Sequence, residues 1–157
     1  MHPVRHRARK PTRQHAEQKQ GAPVTQQTRA TVDKFYERIG AGDMGGVIDL
    51  LSDDFSWEIP GDYETVPWLG KRTTPEAVEE FFAHMRSHVD RKVFDIDRIV
   101  VDGQDAVVLG RAVVIVRATG KSMDTLFAVH IVVEEDGRIS RFMMFEDSWH
   151  VSASMRP

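Results

Sequence analysis

The sequence predicts an α+β domain in which helices precede a long antiparallel sheet. Apolar residues recur at helical spacing in three segments of the first half of the chain. Four segments rich in Val, Ile and Phe fill the second half, and the pairs Asp102-Gly103, Thr119-Gly120 and Asp136-Gly137 separate them as hairpin turns. A chain of 157 residues is long enough for one domain with a substantial core.

Three helices and an early strand account for the first half. The first helix covers residues 28–39, and the second is short and begins at Asp43. The third begins at Thr73, which has capping-box spacing to Glu76. Residues 55–59 alternate between apolar and polar side chains, so we expect a half-buried strand between the second and third helices.

The four later strands are predicted at residues 92–101, 106–117, 123–134 and 138–151. The second of these has apolar residues on both faces, so both sides of the sheet must be covered. Because the helices can cover one side, we expect a second copy of the chain on the other, and therefore a homodimer. The alternative is a sheet that curls over itself and needs no partner.

The first 26 residues form a basic segment with little to bury. This segment has six basic residues and one acidic residue, Glu17, so its net charge is +5. The remainder of the chain carries a net charge of −8. We expect residues 1–26 to be a disordered tail and residues 27–157 to form a single domain. A basic tail can bind nucleic acid or an anionic membrane, but the acidic remainder argues against nucleic acid as the main partner.

Composition also bears on cofactors and on location. The chain has no cysteine, which excludes disulfides and thiolate metal sites, and its histidines show no metal-binding spacing. We therefore expect neither a metal nor another cofactor. No apolar stretch approaches the roughly 18 residues that cross a membrane, and the first residues lack the apolar region of a secretory signal. We expect a cytoplasmic protein that does not enter a membrane.

Four segments keep a recognisable order and spacing: Phe-Tyr-Glu-Arg-Ile-Gly-Ala-Gly-Asp at 35–43, Leu-Leu-Ser-Asp-Asp-Phe-Ser-Trp-Glu-Ile-Pro-Gly at 50–61, Trp-Leu-Gly-Lys at 68–71 and His-Ile-Val-Val-Glu-Glu-Asp-Gly-Arg-Ile at 130–139. Together they resemble the SnoaL-like branch of the nuclear transport factor 2-like superfamily, over about residues 28–150. The resemblance implies a cone-shaped, curved sheet wrapped around a long helix, with an apolar pocket at its open end. Its members include cyclases, isomerases, epoxide hydrolases and dehydratases, so the fold alone does not settle the function.

His130 is the first candidate for a catalytic residue, because it is the one titratable side chain in the apolar run 126–133. Burying an unpaired polar group costs on the order of 1–3 kcal/mol, so His130 is either satisfied by a neighbour or placed to meet a ligand. The resemblance places His130 where SnoaL-type cyclases carry a pocket histidine. It also places Met144 where those enzymes carry an acid/base aspartate.

The turn before the last strand decides which carboxylate shares the face of His130. A three-residue turn would pair His130 with Phe142. Met144 and Glu146 would then lie on the same face, with Glu146 about 13 Å along the strand. A two-residue turn would place Asp147 there instead. Glu146 or Asp147 is therefore the expected secondary catalytic group.

Five apolar side chains are candidates for the wall of a ligand pocket, although each could serve as plain core: Trp57, Trp68, Phe127, Phe142 and Met144. Methionine adapts to irregular apolar shapes, which suits such a pocket. The expected partner is a small hydrophobic molecule, and the expected activity is cofactor-independent isomerase, cyclase or lyase chemistry by proton transfer. The alternative is a non-catalytic ligand-binding or dimerisation module.

Overall fold

The computed structural model describes the backbone of residues 13–157 and the side chains of residues 21–157. Within this part of the chain, the helices are α1 (Arg13–Ala41), α2 (Met44–Ile48), α3 (Pro75–His88) and α4 (Ser148–Met155). The strands are β1 (Leu51–Ile59), β2 (Gly70–Arg72), β3 (Val89–Asp102), β4 (Asp105–Val116), β5 (Ser122–Val133) and β6 (Ile139–Glu146). This arrangement confirms the α+β class.

The strands form one curved, open sheet in the order β2-β1-β6-β5-β4-β3. Consecutive strands from β3 to β6 pair antiparallel, which confirms the predicted meander. β1 runs parallel to β6 and antiparallel to β2, so the sheet as a whole is mixed. We call the face of the sheet that packs on α1 the concave face, and the opposite face the convex face.

α1 begins well before the predicted start of the first helix. Of the predicted tail, residues 13–26 are helical, and residues 1–12 lie outside the described residues. The turn between β3 and β4 contacts this early part of the helix. The Gly103 N–H donates to Thr25 Oγ1 at 3.2 Å, and the Thr28 hydroxyl donates to the Gly103 carbonyl at 2.7 Å. Thr25, which lies within the predicted tail, therefore contacts the turn between β3 and β4.

The core lies between α1 and the concave face. Val32 and Phe35 of α1 are fully buried. The Trp57 indole in β1 stacks on the Phe142 ring in β6, with 3.9 Å between ring centroids. Phe35 packs against both, with centroids 6.0 Å from Trp57 and 5.7 Å from Phe142. Because buried aromatic rings contribute large apolar areas in preferred geometries, this cluster fixes α1 across the β1–β6 pair.

Helix caps explain two corrections to the predicted boundaries. Thr74 rather than Thr73 caps α3, and its Oγ1 accepts a hydrogen bond from the Ala77 N–H at 3.3 Å. The predicted strand 138–151 ends at Glu146, because the following residues form α4. The domain thus has a fourth helix, at its C-terminal end, that the apolar pattern did not reveal.

The turn between β5 and β6 has the predicted three-residue form. Gly137 has a φ of 82°, in the left-handed region where glycine is favoured. The Glu134 N–H donates to the Arg138 carbonyl at 2.8 Å. The predicted pairing is therefore correct next to the turn.

A β-bulge at Ser140 then changes the register of the hairpin. Val133 pairs with Ile139, and the next residue of β5, Val132, pairs with Arg141. Ser140 is therefore an extra residue in β6 without a partner in β5. Bulges of this kind re-aim the side chains that follow them. Every later residue of β6 consequently points to the face opposite the one predicted by counting from the turn.

Candidate active site

A cavity of about 960 Å³ lies between α1, α3 and the concave face of the sheet. Its wall is mostly apolar and includes all five side chains predicted as pocket candidates: Trp57, Trp68, Phe127, Phe142 and Met144. Sites for small molecules are typically concave, largely apolar and about 300–1,000 Å³ in volume. The cavity therefore has the size and lining of a small-molecule site.

His130 lies on the convex face, and the predicted register was wrong. Because Ser140 bulges, His130 pairs with Met143 instead of Phe142. The His130 Nε2 lies 2.6 Å from Asp105 Oδ1, so a carboxylate on β4 satisfies the ring. This position, on the face away from the cavity, removes His130 from the candidate site.

The same bulge turns Glu146 into the cavity. Glu146 pairs with Phe127 across the hairpin, and both side chains line the cavity wall. Burial, and secondarily the negative charge of Asp147, raises the pKa of Glu146 from 4.5 to about 7. A carboxyl in apolar surroundings holds its proton more tightly because the charged form loses its hydration. Glu146 is thus a carboxyl with a raised pKa in the wall of the cavity.

Asp147 serves α4 rather than the cavity wall. Its Oδ1 accepts a hydrogen bond from the His150 N–H at 3.0 Å, which caps the helix. Its own N–H donates to Thr125 Oγ1 at 3.3 Å, and Thr125 is a buried residue of the cavity wall. These two contacts fix the chain immediately after Glu146 and so hold the carboxyl in place.

Comparison with known proteins agrees with this fold. A family model for the SnoaL-like domain matches residues 32–142. The chain belongs to the SnoaL-like family. The matched segment runs from α1 to Phe142 in β6, so Glu146 lies four positions beyond it.

Individual relatives of this SnoaL-like chain share 30% or less of its sequence in the matches that follow. Patulin synthesis protein F of Aspergillus clavatus is 30% identical over 108 residues, which are 68% of this chain and 54% of that protein. This chain therefore spans about half the length of that curated relative. An NTF2-like protein from Burkholderia xenovorans has a solved structure with a TM-score of 0.76 at 20% identity, covering 84% of this chain and 98% of that chain.

TerC, whose structure was obtained by co-crystallisation with polyporic acid, gives a TM-score of 0.72 at 16% identity. The match covers 82% of this chain and 98% of TerC. These likenesses establish the nuclear transport factor 2-like fold, which confirms the cone-shaped architecture implied by the sequence.

Two wall residues of the SnoaL-like cavity carry buried hydrogen-bond donors. Neither the Tyr36 hydroxyl nor the Trp57 Nε1 has a hydrogen-bond partner within residues 21–157. Burial raises the pKa of Tyr36, so the phenol stays neutral over the physiological range. Its ring stacks on Phe94 at 6.2 Å. Surrounding side chains cover both donor atoms, and an unpaired buried donor costs on the order of 1–3 kcal/mol.

Sequence reasoning missed the charged end of the cavity. Arg86 on α3 and Arg91 and Lys92 on β3 line its wall, together with Tyr36. Tyr36 shares helical spacing with Val32, Phe35 and Ile39, which indicates an inward side chain, but this pattern gives no sign that the hydroxyl lacks a partner. Arg91 and Lys92 carried no usable signal, because a β-bulge in β3 sets their direction.

Two features are absent from the described part of the chain. There, no group of three or more His, Asp or Glu side chains is placed to hold a metal ion. In the same region, no helix is both long and apolar enough to cross a membrane.

Proposed function

We propose that this SnoaL-like domain binds a small hydrophobic molecule in its cavity and catalyses cofactor-independent proton transfer on it. The reaction class is isomerisation, cyclisation or lyase chemistry, and Glu146 is the general acid/base. One observation carries the proposal. A carboxyl with a pKa of about 7 lies in the wall of an apolar cavity whose volume fits a small molecule.

The raised pKa suits proton transfer in both directions. A general acid/base works best when its pKa is close to the working pH, because both protonation states are then populated. The Glu146 carboxylate would take a proton from a carbon next to a carbonyl group, which leaves an enolate and a neutral acid. The neutral acid would then return the proton to another carbon. The apolar wall favours this exchange by keeping water from the carboxylate.

Two further observations support a small-molecule role and the choice of Glu146. The relative in Aspergillus clavatus is a patulin synthesis protein, which is in keeping with chemistry on a small metabolite. His130, the first candidate from sequence, is engaged with Asp105 on the convex face. Glu146 therefore takes over the acid/base role in the proposal.

Hydrogen exchange into 2-tetralone, a neutral two-ring ketone with acidic α-hydrogens, tests the activity. The protein is incubated with the ketone in D₂O, and loss of the α-proton signal is followed by NMR. We expect wild-type protein to accelerate exchange over buffer, and Glu146→Gln to lose about 10²-fold or more of that acceleration. His130→Gln is the matched control and should keep it.

The competing function is a ligand-binding module without catalysis. It is favoured by the apolar side chain of Met144, at the position where the resemblance places an acid/base aspartate. Binding of the ketone with an exchange rate equal to that of buffer would support this alternative and contradict the catalytic proposal. Equal rates for wild type and Glu146→Gln would contradict the role of Glu146.

The convex face supports a second part of the proposal, a homodimer. Large apolar side chains are exposed there on neighbouring strands: Val100, Val107, Leu109, Leu126 and Phe145. Exposed apolar patches of this kind mark interaction surfaces. The occupant that we propose is a second copy of the chain.

The charges on the convex face favour self-association. Arg111 and Asp124 form an ion pair at 2.6 Å, and His130 and Asp105 form another contact at 2.6 Å. Since Arg111 and Asp124 neutralise each other within one chain, two copies related by a two-fold axis can bring their apolar residues together without opposing these two charges.

Sedimentation equilibrium tests the dimer. Wild-type protein should give the mass of two chains, and the double variant Leu126→Glu/Phe145→Glu should give the mass of one. Tyr63→Glu is the matched control, because Tyr63 is a large exposed side chain in the loop before β2. A monomeric wild type, or a dimer that survives the double substitution, would contradict this part of the proposal.

A further inference from the structure

One end of the cavity is surrounded by positive charge. Arg86, near the C-terminal end of α3, and Arg91 and Lys92, at the start of β3, all line it and are all exposed to solvent. We call these three residues the cationic mouth. The rest of the wall is mainly aliphatic and aromatic, so this end differs in chemistry from the interior.

A β-bulge sets the direction of Arg91. Arg91 pairs with Val114 and Val93 pairs with Val113, so Lys92 is the extra residue in β3. Val114 lines the cavity, and Arg91, its partner, shares the concave face. The Arg91 guanidinium lies 5.9 Å from the centre of the Phe94 ring, which is another part of the cavity wall.

The charges of the cationic mouth are not neutralised by the protein. Asp90 is the nearby wall carboxylate, and it is paired with Arg117 at 2.7 Å. Within residues 21–157, no carboxylate lies within 4.0 Å of a charged nitrogen of Arg86, Arg91 or Lys92. Residues 27–157 carry a net charge of −8, so the cationic mouth is opposite in sign to this part of the chain as a whole.

We infer that the molecule bound in the cavity is an organic acid, with an apolar ring system inside and one anionic group held by Arg86, Arg91 and Lys92 at the mouth. A carboxylate or sulfonate is the anion that guanidinium and ammonium groups recognise by charge-assisted hydrogen bonds. This inference deepens the proposed function, on which it rests for the identity of the cavity as the ligand site.

The position of Glu146 gives the ligand one orientation. Val114 pairs with Met123, while Glu146 pairs with Phe127, four residues further along β5. The cationic mouth and the carboxyl are therefore separated by roughly 13 Å along the strands. An anion beside Glu146 would meet a like charge in apolar surroundings, whereas at the mouth it meets three cations. The uncharged end of the molecule consequently faces the acid/base group.

A matched pair of fluorescent probes tests the inference. 8-Anilinonaphthalene-1-sulfonate and N-phenyl-1-naphthylamine share one ring system, and the first carries a sulfonate that the second lacks. We expect wild-type protein to bind the sulfonate probe about tenfold more tightly at low salt. The triple variant Arg86→Gln/Arg91→Gln/Lys92→Gln should lose this preference and keep its affinity for the neutral probe.

Two control variants locate the effect. Arg98→Gln removes an exposed arginine of β3 that does not line the cavity, and it should leave both affinities unchanged. Leu126→Glu changes the apolar convex face, and it should also leave them unchanged, which excludes binding of the probes at that face.

Each result has a distinct meaning. If the triple variant binds both probes like wild type, or if wild type shows no preference for the sulfonate, the inference is overturned while the cavity remains a ligand site. If neither probe binds wild type, the inference and the proposed ligand site both fail. The exchange test of Glu146→Gln uses a neutral ketone, which has no anionic group for the cationic mouth to bind. Its result is therefore independent of this inference.

Discussion

The two faces of the β5–β6 hairpin carry two of the titratable candidates, His130 and Glu146, in opposite surroundings. On the convex face, His130 is 33% exposed and contacts Asp105 at 2.6 Å. On the concave face, Glu146 lines an apolar cavity, and burial raises its pKa. Histidine is the residue type that most often serves acid–base catalysis, yet His130 is held in a surface contact with Asp105. Glu146 is an ordinary carboxyl, yet its raised pKa favours the neutral form. Surroundings, more than residue type, prepare a group for proton transfer.

Inserting one alanine between Arg141 and Phe142 should have the largest effect on this contrast. With the bulge at Ser140 kept, the extra residue would pair Phe142 with His130, and the cavity-facing residues of β6 would turn to solvent. We expect a loss of more than about 4 kcal/mol in the free energy of unfolding, measured by urea denaturation. Ser140→Ala keeps the chain length and should stay within about 1 kcal/mol of wild type. An insertion variant of unchanged stability would show that the register of β6 does not fix the two faces.

Alanine substitution on each face compares their packing directly. Phe142, in β6, is 5% exposed, whereas Phe145 is 55% exposed. Phe142→Ala should cost about 3–5 kcal/mol in unfolding free energy, because it removes a buried ring and leaves a cavity. Phe145→Ala should cost less than about 1 kcal/mol in dilute protein, and more at concentrations where the proposed dimer forms. Similar losses at both positions in dilute protein would contradict the assignment of faces.

The pH dependence of stability should report on Glu146. Its folded-state pKa of about 7 lies above the ordinary value of 4.5, so the folded state binds the proton more tightly. This contribution is fully present below the unfolded pKa and is lost as pH rises through the folded pKa. Relative to Glu146→Gln, wild-type protein should therefore lose about 1–3 kcal/mol between pH 5 and pH 8, allowing for solvent screening. Urea denaturation at both pH values measures this difference, and an equal difference at both would contradict the shift.

His130→Ala should have the smallest effect. An exposed contact between His130 and Asp105 contributes at most about 1 kcal/mol to stability. We expect a change within that limit, measured by thermal unfolding at pH 6, and no change in 2-tetralone exchange. Lost exchange with intact stability would return His130 to the active site and would contradict its placement on the convex face.

The sequence predicted elements whose signals are local, and it missed those that depend on context. The α+β class, the meander and the Gly137 turn follow from apolar periodicity and from glycine at a left-handed position. The bulge at Ser140 leaves no comparable mark, because any residue can occupy it. Asp147 was read as part of a strand, since a single capping side chain is a weak signal within an apolar run. Phe142 and Met144 line the cavity together, because residues two apart in a strand share a face in either register.

The two tryptophans that line the cavity make the intrinsic fluorescence of the protein a probe of that cavity. Trp57 is 1% exposed and Trp68 is 3% exposed, and both line the cavity, whereas Trp149 on α4 is 77% exposed. In a Trp149→Phe protein, every emitting indole would border the cavity. Its fluorescence would then record when the cavity fills and empties, with no label attached and no knowledge of the natural ligand required.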